Sequence, residues 1–293
     1  MWLADRWTDY ELIDTGFENK LERWAEFVLC RPDPQAIWQQ RALESMWKKA
    51  DAKYTRSNTG GGSWTYIGKN VPPRWTVKYD NLTFNIKLMG FKHTGLFPEQ
   101  AVNWDWFSDI IVKELKKNPA RQIKILNLFA YTGGATVAAT AAGAVVTHVD
   151  AAKGMVSWAK ENMVSSRLDQ KPVRWIVDDV VKFVAREGRR GNKYDAIIMD
   201  PPSYGRGPGG EVWKIENELY SLLQNCTQIL SDSPVFFLVN SYTTGLGSTV
   251  IQNLLRLTVG KKFGGTVTAD EIGLPSEKSG IILPCGISGR WER

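Results

Sequence analysis

The chain has 293 residues, 43% apolar and 23% charged, and no run approaches the roughly 18 uninterrupted apolar residues of a membrane span. That profile excludes a disordered, collagen-like or coiled-coil chain and fits one or two globular domains. Basic residues outnumber acidic ones by 37 to 31, and the surplus lies wholly after Ile110, where the count is 23 against 17. A modest basic surplus is compatible with a polyanionic partner and equally with an ordinary enzyme.

The opening M-W-L-A-D-R-W-T-D-Y carries acids early and lacks an apolar core, so no secretory signal is expected. Three dispersed cysteines, Cys30, Cys226 and Cys285, suit neither a disulfide framework nor a zinc site. A cytoplasmic protein without a bound metal or a membrane partner is expected. Nine of the 13 tryptophans precede residue 111. They could stack unpaired bases, but a segment carrying 14 residues of each sign favours core packing. Large residues at helical spacing predict a helix within Ala36 to Ala52. A loop at Ser57 to Ser63 and a turn at Val71 to Arg74 follow, then a hairpin around Asp80-Asn81. Residues 1–92 therefore read as a small α+β domain, and residues 93–293 as a second domain.

From Arg121 onward, short apolar runs alternate with helical stretches: I-K-I-L-N-L-F, A-V-V-T-H-V-D, V-R-W-I-V-D-D, Y-D-A-I-I-M-D and V-F-F-L-V-N. This alternation predicts an α/β fold with a parallel sheet covered on both faces. Four of the runs end at or beside Asp150, Asp178-Asp179, Asp200 and Asn240, and ligands of open α/β sheets bind beyond the carboxyl ends of strands.

The first such end, N-L-F-A-Y-T-G-G-A-T, is a glycine turn between a strand and a small-residue helix. It lacks the G-x-G-x-x-G and G-K-[ST] patterns, so neither a dinucleotide fingerprint nor a phosphate loop is present. Asp150 could accept both hydroxyls of a ribose, or cap the next helix, or do both. Of Asp178 and Asp179 only one can face the ligand, because neighbours on a strand point apart. Asp179 is the preferred acceptor of an adenine amino group, with the other acid as a cap. In D-P-P-S-Y the prolines hold Asp200 and the Ser203-Tyr204 pair rigidly, an acid beside an aromatic plate; a plain turn is the alternative. Gly205 to Gly210 reads as a loop able to close over the site. The basic cluster Arg186 to Lys193 reads as a solvated turn.

Together these motifs resemble the class I S-adenosylmethionine-dependent methyltransferases, and more narrowly the bacterial branch that makes 5-methylcytosine or 7-methylguanine in large-subunit ribosomal RNA. That branch carries approximately T-G-F-F-L-D-Q-R before its nucleotide fold; here the segment is H-T-G-L-F-P-E-Q-A-V-N-W. The resemblance covers roughly residues 75 to 290. It implies a Rossmann-like seven-stranded sheet whose last strand, containing G-I-I-L-P-C-G-I, runs antiparallel. By the same resemblance S-adenosylmethionine is the cofactor. Phe97, Glu99 and Gln100 would contact its methionine end. Phe129, Ala130, Tyr131, Thr132 and Gly133 would line its methionine and ribose, with Asp150 and Ala151 at the ribose and Asp178 or Asp179 at the adenine. Asp200 and Pro201 would lie near the transferred methyl group.

The chain departs from that pattern at Ala101 and Trp104, where the branch has arginines, and at Ser241, where the 5-methylcytosine members carry their nucleophilic cysteine. Serine without an activating base is a poor nucleophile at neutral pH. Cys226 reads as a core residue, and Cys285 as a less easily dismissed thiol. The expected activity is methylation of an RNA nucleobase at a nitrogen, with Asp200 and Tyr204 as the acceptor-side residues. A small molecule or protein as acceptor, and a non-catalytic cofactor- or RNA-binding protein, are the two rivals. The chain is expected as a monomer or homodimer.

Overall fold

The computed structural model describes residues 1–57, 61–68, 70–90, 92–206 and 212–293, and the chain divides into two units. The first is Met1–Val102 with Ile272–Cys285; the second is Asn103–Glu271 with Gly286–Arg293. The division thus falls at Val102 rather than at residue 92, and a late segment returns to the first unit. Local sequence patterns carry no record of such a return.

The first unit is mostly β. β1 (Trp2–Leu3) pairs in parallel with Ile272 and Gly273. β2 (Tyr10–Gly16), β3 (Asn19–Trp24), β4 (Phe27–Pro32), β5 (Ala52–Arg56) and β6 (Gly62–Tyr66) form one sheet in chain order. The helix expected within Ala36 to Ala52 is a single turn, α1 (Glu44–Trp47). Buried Asp14 explains the difference: its carboxylate accepts from Leu43 N at 2.9 Å and from the Trp47 indole at 2.8 Å, while Trp38 donates to Thr15 O at 3.0 Å. These bonds to β2 hold the segment across the sheet in place of i to i−4 bonds. β7 (Trp75–Tyr79) and β8 (Leu82–Ile86) form the expected hairpin, with Asp80 left-handed at φ 51°. Of the expected Ser57 to Ser63 loop, Asn58, Thr59 and Gly60 lie outside the described residues, and Gly62 and Ser63 belong to β6.

The tryptophans here are packing residues. Trp24 is fully buried, Trp7 lies 4.7 Å from Tyr79, and the Trp75 and Trp64 indoles donate to Trp24 O and Met89 O. Beside them sits a buried ionic cluster. Glu22 takes both Nε and Nη2 of Arg31, at 2.6 and 2.8 Å, and the Tyr10 hydroxyl at 2.7 Å; Lys20 spans Glu22 and Asp33. Burial alone would push the Glu22 carboxyl up, but Arg31 and Lys20 overcome it and hold the group near 2.

A depressed carboxyl stabilises the fold above its unfolded value near 4.3 and loses that contribution as pH falls towards 2. Glu22→Gln should therefore cost about 3 kcal/mol at pH 7, by stranding the buried Arg31. Urea denaturation at pH 7 and pH 3 checks this: the gap between variant and wild type should shrink at the lower pH.

The second unit is a layered α/β fold. α2 (Ala101–Lys117) leads into β9 (Lys124–Leu128), α3 (Gly134–Ala141), β10 (Val145–Asp150), α4 (Lys153–Ser165), β11 (Val173–Val177), α5 (Val180–Arg189) and β12 (Ala196–Met199). A short ribbon of β13 (Tyr204–Arg206) and β14 (Val212–Lys214) interrupts the alternation. α6 (Ile215–Gln228), β15 (Phe236–Ser241), α7 (Ser248–Leu255) and α8 (Lys261–Phe263) follow, and the chain ends in β16 (Thr266–Ser276) and β17 (Ile281–Glu292), each of which belongs partly to the first unit. The strand order is β1-β16-β17-β15-β12-β9-β10-β11: eight strands, one more than the seven the resemblance implied, because β1 adds to the edge beside β16; β17 is antiparallel to β15, as the resemblance implied. β9, β12 and β15 are buried nearly throughout, because helices cover both faces. The order reverses between β9 and β12, so the carboxyl ends of these two strands frame the crevice where a ligand belongs.

Candidate active site at the sheet switch point

The turn after β9 carries the site. Phe129, Tyr131 and Gly133 all adopt left-handed backbone, at φ 53°, 50° and 80°. For the two aromatics this conformation costs on the order of 1–3 kcal/mol each, so surrounding bonds must hold it. Ala130 N donates to Val149 O at 3.1 Å, Gly133 N to Ala130 O at 2.9 Å, and Tyr131 N to Asp150 Oδ2 at 2.8 Å. From the α4 side, buried Asn162 donates to Thr132 O at 2.8 Å. Gly133 caps α3, and a Cβ there would stand 2.7 Å from that of Ala159. Glycine is required twice, by dihedral and by contact.

Beneath the turn, Asn127 Nδ2 donates to Thr136 Oγ1, whose hydroxyl faces His148 Nδ1 at 2.9 Å. Burial pushes His148 down to about 3, and the ring is neutral. It is a core histidine.

Asp150, half-buried at the end of β10, accepts from Tyr131 N on one oxygen and from Ala152 N at 2.8 Å on the other. Burial raises its carboxyl, and the two backbone donors oppose that shift. The expected alternative role as a helix cap is absent: α4 is capped at Ala152 without a side-chain bond. Each Asp150 oxygen keeps acceptor capacity for a hydroxyl, as ribose recognition demands. Ala151 is exposed beside it.

At the end of β11, Asp178 accepts from Asp179 N and pairs with Arg186 of α5. Asp179 is the cap: its Oδ1 accepts from Lys182 N at 2.8 Å. The cap expected of Asp178 is therefore Asp179, whose second oxygen takes no part in the cap; each oxygen of Asp178 accepts one bond. The basic cluster is only partly solvated, since Arg186 holds Asp178 and Arg190 reaches buried Glu187 at 3.3 Å.

Across the switch point, Asp200 follows β12 and is half-buried, with its N–H towards Leu128 O at 3.4 Å. Pro201 is buried and Tyr204 is 50% exposed, its hydroxyl accepting from Arg206 Nε at 2.8 Å. Gly205 and Arg206 are not loop but strand, paired with Trp213 and Val212; residues 207–210 of the expected closing loop lie outside the described residues. Trp213, which the sequence reading missed, donates to Pro202 O at 2.6 Å and lies 5.6 Å from Phe129. It touches both sides of the crevice; only the pairing of two three-residue strands puts it there.

Among the described residues no histidine is bonded to Ser241 or to a thiol. Ser241 is buried, and its Oγ accepts from Thr243 N at 3.3 Å. Cys226 lies in the core of α6, and burial pushes its thiol up. Cys285 belongs to the first unit, donates towards Leu283 O at 3.4 Å, and is pushed well up by burial, with Glu99 adding to the shift. Phe97, Glu99 and Gln100 also belong to the first unit, at the 3₁₀ turn Pro98–Gln100, with Glu99 and Gln100 buried. Among the described residues no group of three His, Cys, Asp or Glu could hold a metal ion, and no helix is long and apolar enough to cross a membrane.

A family model described as S-adenosylmethionine-dependent methyltransferase matches residues 59–232. The chain belongs to that family. A crystal structure of a SAM-dependent methyltransferase from Agrobacterium tumefaciens shares the fold with a TM-score of 0.92 and 36% identity, over 99% of this chain and 92% of that one. Ribosomal RNA large subunit methyltransferase K/L of Pseudoalteromonas atlantica is 32% identical over 149 residues, 50% of this chain and 19% of the relative. Ribosomal RNA large subunit methyltransferase I of Tolumonas auensis is 30% identical over 137 residues, 46% of this chain and 32% of the relative. The chain therefore spans less than a third of the length of these curated relatives. The cofactor of the family is S-adenosylmethionine, and the residues around the switch point fit it: a carboxylate for the ribose, a second carboxylate oxygen one strand further on, and a glycine-floored turn between.

Gly133→Ala should cost roughly 2 kcal/mol, because the new Cβ must adopt φ 80° and meet Ala159; calorimetry should also show cofactor affinity falling at least tenfold. Trp213→Phe removes the indole N–H from Pro202 O while keeping a ring near Phe129. Its turnover should fall roughly tenfold, the size of one lost hydrogen bond, with cofactor affinity retained.

Proposed function

We propose that this protein methylates a nucleobase nitrogen of RNA, with ribosomal RNA as the substrate class. The observation that carries the acceptor side is the pairing of half-buried Asp200, fixed by Pro201 and Pro202, with the half-exposed ring of Tyr204 one ribbon away. Bound S-adenosylmethionine supplies an electrophilic methyl group on a sulfonium. Asp150 accepts the ribose hydroxyls, and the free oxygen of Asp179 accepts the adenine amino group. The backbone of Phe129, Ala130, Tyr131, Thr132 and Gly133 forms the wall between them.

On the acceptor side, Tyr204 holds a planar base drawn from its stack or presented in a single strand. Asp200 orients the attacking nitrogen and takes up its proton. Alignment of donor and acceptor supplies much of the rate. A covalent adduct at carbon is disfavoured by the chain itself, since Ser241 is buried and bonded where a thiol would serve. The names of the relatives in Pseudoalteromonas and Tolumonas support ribosomal RNA as acceptor.

Incubating the protein with large-subunit ribosomal RNA and methyl-labelled cofactor should label the RNA in base-resistant form on a purine or pyrimidine nitrogen. Asp200→Ala should lower incorporation at least a hundredfold, the usual scale for loss of a general base. Equal incorporation by the variant removes Asp200 from the chemistry, and label confined to protein or small molecules removes RNA as the acceptor.

A further inference from the structure

Between α7 and α8 the helix widens into a π-turn, Arg256–Gly260. The Thr258 hydroxyl bonds back to Leu254 O at 2.7 Å, while Ile251, Leu255 and Val259 keep this helix anchored in the core. In an α-helix, residues five apart point about 140° away from each other. A π-turn, whose hydrogen bonds span five residues, brings them to nearly the same side. Arg256 and Lys261 are five apart and share one open groove of about 460 Å³, with Gly260, Gly265, Thr266 and Val267. Neither cation makes a hydrogen bond or ion pair among the described residues. A side chain at Gly265, φ 80°, would strike Glu292 O at 2.4 Å, so bare backbone lines that part of the groove.

The positive charge continues past the groove. Lys262 donates to Thr227 O at 3.2 Å and Gln228 Oε1 at 3.3 Å, and Lys193 donates to Gln228 O at 2.7 Å. Asp232 is the acid whose charge reaches Lys262. Lys193 precedes β12, at its amino end, whereas Asp200 follows its carboxyl end. Seven residues of extended chain put about 23 Å between those two levels.

We infer that the π-turn groove, with Arg256 and Lys261 on one side and Lys262 and Lys193 continuing from it, is a second phosphate-binding surface that holds the backbone of a folded RNA while one base occupies the switch-point crevice. This inference rests on the RNA reading above. A trinucleotide seated at the crevice is too short to reach both levels. A folded RNA can.

The test compares wild type with the double variant Arg256→Gln/Lys261→Gln, measuring binding of purified large-subunit ribosomal RNA across a potassium chloride series. Two lost phosphate contacts should lower the magnitude of the salt slope by about 2 and weaken binding roughly tenfold at 0.1 M salt. Cofactor affinity and binding of a trinucleotide should be unchanged, and Arg256→Lys/Lys261→Arg should restore the slope. An unchanged RNA slope and affinity in the double variant overturns the groove alone. A wild-type protein that binds S-adenosylmethionine but no RNA overturns both the groove and the acceptor reading. Equal weakening for RNA and trinucleotide also overturns the groove, since it places the loss at the crevice.

Discussion

The bond between Tyr131 N and the Asp150 carboxylate is the constraint on which the second unit depends. It ties the turn after β9 to the tip of β10, and without it two aromatic residues would have no reason to stay in left-handed backbone. The strain is held by neighbours that are themselves fixed: Asn162 on Thr132, and the Asn127–Thr136–His148 chain beneath. A turn locked in this way presents its backbone to a ligand already ordered, which reduces the entropy lost on binding. The same carboxylate thus shapes the turn and remains available to a ribose.

Around the crevice, rigidity comes from different chemistry on each side. The turn after β9 is short and hydrogen-bonded, with a glycine that packs on Ala159. The segment after β12 uses two prolines, whose fixed backbone needs few bonds, and a two-stranded ribbon. Trp213 joins them, with its indole N–H on Pro202 O and its ring beside Phe129. One side chain thus touches both the loop after β12 and the turn after β9. Methyl transfer tolerates little misalignment, so such a link has direct chemical value.

The first unit solves another problem, that of burying charge. Glu22 is fully buried and survives as an anion because Arg31 grips it through two nitrogens while Tyr10 and Lys20 supply further positive ends. A pair of this kind adds little net stability compared with apolar packing, yet losing one partner is costly. It suits the register in which β3 pairs with both β2 and β4.

Much of this was legible in the residues. Near-continuous apolar runs ending in acids marked the parallel strands and their order in the chain, because strands buried on both faces admit little else. Asp150, Asp200 and Gly133 stood out for the same local reasons. Three things were decided only by tertiary structure. The segment around α1 gave up its helical spacing because Asp14, some thirty positions earlier, captured its N–H groups. Trp213 became part of the crevice through a ribbon too short to leave a periodic signal. The choice between Asp178 and Asp179 as cap turned on a bond to Lys182 and an arginine two turns along α5. Periodicity and strand-end chemistry act over a few residues and so can be read from order alone; hydrogen-bond partners distant in the chain exist only once the backbone has closed around them.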